Sequence, residues 1–575
     1  VAESVFSLAN EYMGVRGYFE EGYSGQSLIG NYFNGIYEQR KPGGSAYKGI
    51  AKTSEYMVNA INWLYTRIYL DEELLDLNTS RFTEFIRVLH MESGLLNRSY
   101  IWTTESGKKL QVQFERFVSM KSVHIGAQKI TMTPLNFSGE VRMVAGLDFS
   151  ELHQSCGENL WDCSGGHSED HCVDLTGTTK LIKQKIYSCC RFFGETATEK
   201  KVVSTEKLGL KEFTFNLKEQ VPTTMTRIVS NVVCKETTKQ AYERFEIKCQ
   251  MVKEESHTLD YAALLEENRA WWKAVWNHSD IAIEGDELNQ QGIRFCIFQM
   301  NQTYHGTVQG TNIGAKGLTG EAYNGNAFWD TEVYCLPYFL FNNLEAAKNL
   351  LMFRYVTLPE AKERAKSLDC EGAFYPIATI TGTECCDLWQ HASLQLQAST
   401  AVSYGIWFYE KLTGDQSFLR EQGLPMLVEI SRMLSTRGSW TENNTKYGYY
   451  SVMGPDEFQM MVNHNYYTNY MGKFTLEYTL KALNELKEHN ALQADELRAQ
   501  MNITEQECEE WGNIVQAMVI PYDVETNIYE QHDGYFKLPH VDVDEIPIED
   551  FPLYHNWSYD RIYRNDMIKQ PDVLM

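Results

Sequence analysis

The chain has 575 residues, and its 52 Lys and Arg against 77 Asp and Glu give a formal charge of −25 at pH 7. A surface this acidic repels the phosphates of nucleic acids and of anionic lipids, so neither class of partner is expected. Apolar residues make up 43% of the chain, which is ordinary for a globular protein and excludes wholesale disorder.

The sequence also predicts where the protein works. No stretch of eighteen uncharged apolar residues occurs, so we predict no membrane-spanning helix. The first residues, Val1 to Phe6, lack the charged and apolar regions of a signal peptide. Thirteen cysteines, spread along the chain and twice adjacent, favour reduced thiols over a disulfide framework. These observations together predict a cytoplasmic protein.

The first part of the chain, residues 1–250, is predicted to form a large antiparallel β-sandwich. Short runs in which apolar and polar residues alternate indicate strands with one buried face. Such runs contain Leu110, Val112 and Phe114, then Ile130 and Met132, then Phe213, Phe215 and Leu217. Residues 152–174 are predicted to interrupt the sandwich as a polar loop.

The rest of the chain is predicted to be helical. Residues 251–284 form a predicted linker, because apolar residues over 256–278 recur near helical spacing. From residue 285 to 575 we predict repeated helices joined by Gly-rich, aromatic loops, with clear helices at 286–304, 394–412 and 466–489. A toroid of helical hairpins fits this pattern, with a functional site at the mouth that the loops form.

The sequence Gly454-Pro455-Asp456-Glu457 combines a rigid turn with a carboxylate pair shortly before a predicted helix. A carboxyl group that is desolvated among aromatic residues keeps its proton near neutral pH and can act as a general acid. Glu457 is therefore a candidate acid. A polar turn that caps a helix would produce the same motif, so the motif by itself leaves both interpretations open.

Two residue pairs suit a sugar subsite. Trp329 followed by Asp330 offers an aromatic face and an acceptor for hydroxyl groups. Lys569 beside Gln570 offers a cation for a phosphate oxygen and an amide for a sugar hydroxyl. A buried Trp with a capping Asp, and an ordinary surface Lys-Gln pair, are the alternative interpretations.

A third region, which follows Gly372–Pro376, brings aromatic, amide and acidic groups together in loops. Its candidate residues are Glu384, Trp389 and His391. They suit the lining of a second sugar subsite, and ordinary loop packing is equally compatible with them.

One loop is rich in potential metal ligands, namely His153, Cys156, Cys163, His167, His171 and Cys172. Their spacing matches none of the usual structural zinc sites, which use paired ligands at short fixed intervals. We therefore expect a plain loop and no bound metal.

The order and spacing of these motifs resemble glycoside hydrolase family 65 along essentially the whole chain. The segments that carry the resemblance are Glu3–Asn10, Gly14–Gly17, Gly35–Glu38, Lys316–Glu332, Gly372–Pro376, Gly454–Glu457, Tyr467–Asn469 and Lys569-Gln570. Members of this family are mostly inverting disaccharide phosphorylases that act on maltose, trehalose, kojibiose, nigerose or glucosylglycerol. The resemblance implies a multidomain fold with an N-terminal antiparallel β-sandwich (1–250), a helical linker (251–284) and an (α/α)6 barrel catalytic domain (285–575).

The resemblance also implies roles for single residues. Glu457 matches the family's general acid. The substrate-binding positions that it implies are Trp329, Asp330, Glu384, Trp389, His391, Lys569 and Gln570. The first two hold glucose, the last two contact the same sugar near phosphate, and the three between them shape the acceptor subsite.

Two departures from the family pattern bear on these roles. The family continues past Lys-Gln with a His- and Ser-containing phosphate loop, the last barrel helices and a small β domain. This chain stops at Met575, so we expect that half of the phosphate site to lie outside it. Many relatives have Pro-Trp where this chain has Pro376-Ile377, and Glu-Ile-His where it has Leu394–Gln397. The second departure favours kojibiose, nigerose or a small polyol glucoside over maltose and trehalose.

The resulting hypothesis is phosphorolysis of an α-glucoside, with β-glucose 1-phosphate and the free acceptor as products. Phosphate is itself the nucleophile, so one acid suffices, whereas an inverting hydrolase needs a second carboxylate to activate water. We expect no cofactor, inorganic phosphate as co-substrate, and a homodimer as in relatives. The alternatives are a hydrolase of the acid-trehalase or kojibiose-hydrolase type, with Glu321, Glu332 or Glu384 as base, and a non-catalytic glucan-binding protein.

Overall fold

The structure, a computed structural model, describes residues 1–41, 48–169, 171–194, 197–308 and 310–575, and for 165, 167, 197 and 199–204 it describes the backbone alone. Backbone contacts divide the chain into two compact units. Unit 1 comprises residues 1–39 and 55–325, and unit 2 comprises residues 40–54 and 326–575. An antiparallel sheet domain is thus followed along the chain by a helical one, as the sequence predicts.

The N-terminal part consists mainly of strands. They are β1 (Leu8–Ala9), β2 (Met13–Val15), β3 (Asn31–Phe33), β4 (Tyr37–Arg40), β5 (Ser54–Met57), β6 (Asn62–Leu70), β7 (Glu73–Leu74), β8 (Arg81–His90), β9 (Leu95–Thr103), β10 (Lys109–Val118), β11 (Ile125–Pro134), β12 (Gly139–Asp148), β13 (Trp161–Glu169), β14 (Cys172–Thr179), β15 (Lys185–Phe193), β16 (Ala197–Ser204), β17 (Leu208–Leu217) and β18 (Thr223–Cys234). The larger sheet has the order β13-β14-β15-β18-β11-β10-β9-β8, and the smaller has β16-β17-β12-β6-β7. Neighbouring strands in both sheets pair antiparallel.

The two sheets share one core because alternate residues of their strands are apolar. Val112 and Phe114 of β10 and Phe213 and Phe215 of β17 are buried in the same cluster. Each such side chain contributes about 1.5–3 kcal/mol relative to exposure. The predicted strands around residues 110–114, 130–132 and 213–217 are confirmed.

The segment predicted as a polar loop, residues 152–174, is largely a β-hairpin, so that prediction is wrong from Trp161 onward. β13 pairs with β14, with Trp161 opposite Thr179 and Glu169 opposite Cys172. β13 is an edge strand of the larger sheet, and its Asp162 is exposed. Backbone hydrogen bonds form such a strand without an apolar face, so the alternation that identifies buried strands is missing here.

Unit 1 also contains helices α1 (Ala2–Val5), α2 (Lys239–Glu255), α3 (Tyr261–Ser279) and α4 (Glu287–Thr303). The predicted helices at 256–278 and 286–304 are confirmed as α3 and α4. The prediction that the sandwich extends to residue 250 is wrong at its end, because helix α2 follows the last strand, β18. Ala241, Phe245 and Cys249 recur every fourth residue and are buried together, which is helical spacing. The exact limits of the linker stay a prediction.

Unit 2 is mainly helical. Its elements are α5 (Leu336–Asn342), α6 (Leu344–Val356), α7 (Leu358–Ser367), α8 (Trp389–Leu394), α9 (Gln397–Thr413), α10 (Gln416–Phe418), α11 (Leu424–Arg437), α12 (Tyr466–His489), α13 (Ala491–Met501), α14 (Glu505–Ala517), α15 (Leu553–Asn556) and α16 (Tyr559–Tyr563), with β19 (Ser439–Thr441), β20 (Lys446–Gly448), β21 (Tyr522–Asp523) and β22 (Ile528–Tyr529). The predicted helices at 394–412 and 466–489 are confirmed as α9 and α12. Their arrangement as an (α/α)6 barrel stays a prediction.

Helix α9 is central to unit 2, because it packs against α5, α6, α11 and α12. Trp407 of α9 meets Phe474 of α12 edge-on, with ring centroids 5.7 Å apart. Gly414 ends α9 in the left-handed conformation, with φ of 66°, a geometry that glycine adopts without steric cost. This packing fixes α12, the helix that follows the acid loop along the chain.

Within the described ranges, no helix is both long and apolar enough to cross a bilayer. None of the thirteen cysteines, all of which lie in the described ranges, forms a disulfide.

Candidate active site

Glu457 lies in direct contact with the two candidate residues near the end of the chain. Its carboxylate forms an ion pair with the Lys569 ammonium group, and the two side chains are 39% and 44% exposed. The backbone N–H of Glu457 donates to Oε1 of Gln570 at 3.2 Å. The fold therefore brings an acid to a cation and an amide that lie 112 and 113 residues further along the chain.

The neighbouring Asp456 is fully buried and holds the backbone around this group. Its Oδ1 accepts the N–H groups of Phe458, Lys569 and Gln570 at 3.1, 2.8 and 3.3 Å. Its Oδ2 accepts the Gln531 amide at 3.1 Å. Burial raises the pKa of Asp456, and these donors oppose the shift.

Asp572, which follows the Lys-Gln pair, in turn binds the backbone of the acid loop. Its Oδ1 accepts the N–H of Asp456 at 2.8 Å, and its Oδ2 accepts the Asn465 amide at 2.6 Å. Asn465 also caps α12, because its Oδ1 accepts the N–H of Thr468 at 3.0 Å. Burial, opposed by the Asn465 bond and reinforced by the charge of Asp456, raises the pKa of Asp572 to about 7.

Gly454 leaves the space that this arrangement needs. A Cβ at this position would lie 2.3 Å from Oδ2 of Asp572 and 2.4 Å from the Asn465 amide nitrogen, far inside contact distance. Its carbonyl oxygen accepts the side-chain amides of Gln395 and Gln397 at 3.2 and 3.4 Å. Close packing therefore explains why the turn begins with glycine.

Trp329 and Asp330 precede a π-helical turn, Thr331–Cys335. The Trp329 ring lies 5.8 Å from the Tyr467 ring at an interplanar angle of 72°, and it also packs against a cluster that contains Ile377. Tyr467 belongs to the first turn of α12. Trp329 is thereby attached to the helix that starts beside the acid loop, while Asp330 is exposed.

A buried ion pair stabilises the turn Thr331–Cys335. Glu332 accepts Nε and Nη2 of Arg354 at 2.7 and 3.0 Å, and both side chains are at most 1% exposed. Arg354 Nη2 also donates to the Phe328 carbonyl at 3.4 Å. Burial raises the pKa of Glu332, and Arg354 counteracts it. Glu332 is thus fully engaged in positioning the chain next to Trp329.

Glu384 organises the predicted acceptor region from inside. Its carboxylate accepts the N–H groups of Ile377, Ala378 and Cys386 at 2.9, 3.4 and 3.0 Å. The residue is 4% exposed, and burial raises its pKa. Its bonds go to the loop backbone, so its carboxylate holds the loop in shape.

The other two predicted acceptor residues lie on α8. Trp389 is 45% exposed. Nδ1 of His391 lies 3.1 Å from Oε1 of Gln395, whose amide nitrogen reaches the carbonyl of Gly454. A chain of hydrogen bonds therefore runs from His391 to the turn that carries Glu457, whereas Trp389 is the first residue of α8.

Glu321, the remaining candidate base, belongs to unit 1 and is 5% exposed. It lies 3.3 Å from Nε2 of His153 and accepts the N–H of Gln154 at 2.7 Å and the hydroxyl of Tyr32 at 3.4 Å. Burial raises its pKa and His153 counteracts the shift. These contacts give Glu321 a structural role within the sheet unit.

The Cys- and His-rich segment forms no metal site among the described residues, in which no group of three or more ligands occurs. His153 is buried against Glu321, Cys156 is exposed, and Cys172 faces Cys189 with the two sulfurs 3.2 Å apart. The side chain of His167 lies outside the described residues.

Sequence motifs missed several residues that build the site. Gln531 lies outside every motif, and its amide bridges Oδ2 of Asp456 and the carbonyl of Gln570. Asp572 follows Gln570 by two positions, and this closeness in sequence is the one feature that could have indicated its place in the site. Arg354 has no local signal, because its partner Glu332 lies 22 residues earlier in the chain.

The arrangement can perform acid catalysis on a sugar beside an anion. Glu457 supplies a partly exposed carboxyl group, Lys569 supplies a positive charge, and Gln570 supplies an amide. Trp329 supplies an aromatic surface of the kind on which pyranose rings stack.

Comparison with known proteins identifies the class. Residues 1–275 match the N-terminal domain of glycosyl hydrolase family 65, and residues 294–575 match the central catalytic domain of the same family. The chain belongs to glycosyl hydrolase family 65.

Individual relatives are disaccharide phosphorylases. The chain is 34% identical to the α,α-trehalose phosphorylase of Thermoanaerobacter brockii over 595 residues, which cover 100% of this chain and 76% of the relative. It is 34% identical to the maltose phosphorylase of Bacillus subtilis (100% and 75% covered) and 28% identical to a kojibiose phosphorylase of T. brockii (100% and 76% covered). A solved structure described as "putative kojibiose phosphorylase from human microbiome" superposes with a TM-score of 0.92 at 40% identity, covering 100% of this chain and 75% of that chain.

Proposed function

We propose that this enzyme catalyses inverting phosphorolysis of an α-glucosyl disaccharide or small α-glucoside, giving β-glucose 1-phosphate and the free acceptor. The observation that carries the proposal is the contact of Glu457 with Lys569 and Gln570, which puts an acid beside a cation and an amide. The phosphorylase names of its relatives support the same reaction class.

In the proposed mechanism Glu457 protonates the glycosidic oxygen while a phosphate oxygen attacks C1 from the opposite face. The bond between C1 and the acceptor oxygen breaks, and a bond between C1 and phosphate forms with inverted configuration. The acceptor leaves with the proton of Glu457. Phosphate arrives already anionic, so the protein needs to position it and neutralise its charge but not to deprotonate it.

The burial and hydrogen bonding of the three candidate bases favour a phosphorylase over a hydrolase. An inverting hydrolase needs a second carboxylate with access to a water molecule. Glu321, Glu332 and Glu384 are between 1% and 5% exposed and bind protein groups. Each would have to give up its structural bonds to act as a base.

Substrate binding is proposed for the same residues that the motifs indicate. Trp329 and Asp330 hold the glucosyl unit, and Lys569 and Gln570 contact that sugar and phosphate. Trp389 and His391 line the acceptor side. Glu384 contributes by shaping the loop.

We propose kojibiose, nigerose or a small polyol glucoside as the substrate. Ile377, which replaces the tryptophan of many relatives, packs in the cluster that contacts Trp329. Gln395, in the second departure, bonds to both His391 and Gly454. Both substituted positions therefore lie where an acceptor sugar would be selected.

The remaining expectations belong to the same proposal. We propose that the enzyme uses inorganic phosphate as co-substrate without a metal or organic cofactor, works in the cytoplasm and forms a homodimer.

The test is to incubate the protein with kojibiose, nigerose, maltose, trehalose and glucosylglycerol, each with and without phosphate, and to follow sugars by ¹H and ³¹P NMR. We expect consumption only with phosphate and accumulation of the β-anomer of glucose 1-phosphate. The reverse reaction, phosphate release from β-glucose 1-phosphate with a panel of acceptors, then identifies the acceptor.

Two results would overturn the proposal. Equal consumption without phosphate would identify a hydrolase of the same family. Binding of glucosides without turnover in either direction would identify a non-catalytic glucan-binding protein.

A further inference from the structure

Two buried aspartates connect the acid loop and the C-terminal Lys-Gln segment in opposite directions. Asp456 belongs to the acid loop and accepts the backbone N–H groups of Lys569 and Gln570. Asp572 belongs to the C-terminal segment and accepts the backbone N–H of Asp456. Each segment thus supplies a carboxylate that binds the backbone of the other.

We propose that Asp456 and Asp572 are positioning residues that together fix Glu457 relative to Lys569 and Gln570 for proton transfer. The inference rests on the proposed function, because it assigns both residues a part in that reaction. Asp456 and Asp572 are 0% and 1% exposed. Such buried groups act through the residues they hold and not on the substrate itself.

The hydrogen-bond pattern requires a side chain with two acceptor oxygens, which a carboxyl group provides at either position. Asp456 accepts four bonds with its two oxygens, and both oxygens of Asp572 accept N–H donors. An asparagine side chain offers one acceptor oxygen and an NH₂ group that only donates. At either position an amide would place a donor against a donor, which leaves buried N–H groups unsatisfied.

Neighbouring residues are arranged to keep the two carboxylates in place. Asn465 donates to Asp572 and simultaneously caps α12, so its amide orientation is determined by both contacts. Gln531 donates to Asp456 and to the carbonyl of Gln570. Gly454 has no side chain at the point where Asp572 and Asn465 pack against it.

The positioning matters because a general acid works only within hydrogen-bond reach of the oxygen that it protonates. A displacement of about 1 Å can reduce a rate roughly 10²-fold. Glu457 is 39% exposed on a loop, and few contacts of its own side chain hold it there. The neighbouring backbone, which the two aspartates bind, therefore determines where its carboxyl group points.

The experiment compares two glucosyl donors in the full chain. Phosphorolysis of the disaccharide needs protonation of the leaving oxygen, whereas fluoride leaves α-glucosyl fluoride without a proton donor. Asp572→Asn, Asp456→Asn and Glu457→Gln are each assayed with both donors at saturating phosphate. Asp566→Asn is the matched control, because Asp566 also accepts a backbone N–H, that of Val541 at 3.0 Å, in the same segment.

We expect kcat for the disaccharide to fall about 10²-fold in Asp572→Asn and Asp456→Asn. We expect kcat for α-glucosyl fluoride to stay within about threefold of wild type, as in Glu457→Gln. Asp566→Asn should behave as wild type with both donors. A loss that is selective for the donor that needs acid catalysis distinguishes misplacement of Glu457 from general damage to the fold.

Two results would overturn the inference: unchanged disaccharide turnover in both variants, or an equal loss with both donors. Failure of the proposed function is recognised separately in the wild-type enzyme, as turnover that does not depend on phosphate. A wild-type hydrolase would still need the acid, so the comparison of donors would remain valid with water as the nucleophile.

Discussion

The ammonium group of Lys569 contacts the carboxylate of Glu457 at Oε2. The same oxygen cannot hold the proton that the acid donates while it is bound to the cation. A proton on Oε2 would lie against the ammonium donors, so Glu457 can donate from this oxygen only after Lys569 has exchanged it for another partner. Phosphate is the partner that a lysine charge favours, so binding of the nucleophile and release of the acid are expected to be coupled.

Replacing Lys569 by methionine should impair the use of phosphate more than the use of sugar. Loss of one hydrogen bond to a charged group, worth about 1.5–3 kcal/mol, predicts an increase in the KM for phosphate of roughly 10- to 100-fold. Lys569→Arg keeps the charge and should retain part of the affinity. Initial rates against phosphate concentration provide the measurement, and an unchanged KM in Lys569→Met would contradict the coupling.

Replacing Glu457 by glutamine should lower kcat for phosphorolysis by at least about 10²–10⁴-fold, because general acid catalysis contributes that much. Glutamine keeps the size of the side chain, but its amide is not acidic and cannot protonate the leaving oxygen. The folded structure should persist, as judged by circular dichroism and thermal unfolding. Glu371→Gln, at an exposed position of unit 2, is the control. Turnover near the wild-type rate in Glu457→Gln would remove Glu457 from the mechanism.

Regular apolar patterns made much of the fold predictable. β10 alternates, and α9 and α12 have long apolar faces, so their positions follow from sequence alone. β13 was missed because an edge strand with polar side chains has no such pattern. α2 was missed because only three of its 17 residues, Ala241, Phe245 and Cys249, are buried, so its apolar pattern is weak.

The site was predictable to a different extent. The motifs name Glu457, Lys569 and Gln570, whose contact the fold establishes across more than a hundred residues. They do not identify Asp456 as a buried acceptor. The sequence of a turn is the same whether its Asp side chain faces water or backbone N–H groups. The contacts that build such a site are long-range and leave no local pattern.

Removing the charge of Arg354 should strongly destabilise unit 2. Arg354→Met leaves the Glu332 carboxyl buried without its ion-pair partner, a change that typically costs about 3–5 kcal/mol. We expect a lower midpoint of urea unfolding. The double variant Glu332→Gln/Arg354→Met should recover part of the loss, because it buries no unpaired charge. Equal stability of the single variant and wild type would show that the pair contributes little.

The contribution of Asp572 to the stability of the enzyme should decrease as pH rises from about 4 to 7. Its pKa is about 7 in the fold, against 3.8 ordinarily, chiefly because it is buried. In this window the folded chain retains a proton that the unfolded chain has released, so unfolding releases the proton and becomes easier as pH rises. The contribution is fully present below pH 4, is lost as pH rises to 7, and amounts to at most about 4 kcal/mol.

Asp572→Asn removes the titrating group, so its urea midpoint should depend less on pH between 4.5 and 7.5 than that of wild type. Asp544→Asn, at an exposed position, should keep the wild-type slope. The comparison uses slopes and not absolute midpoints, because the amide also disturbs the bonds to Asp456 and Asn465 at every pH. Parallel curves for Asp572→Asn and wild type would mean that Asp572 is ionised throughout this range. Its two N–H donors would then outweigh the cost of burying its charge.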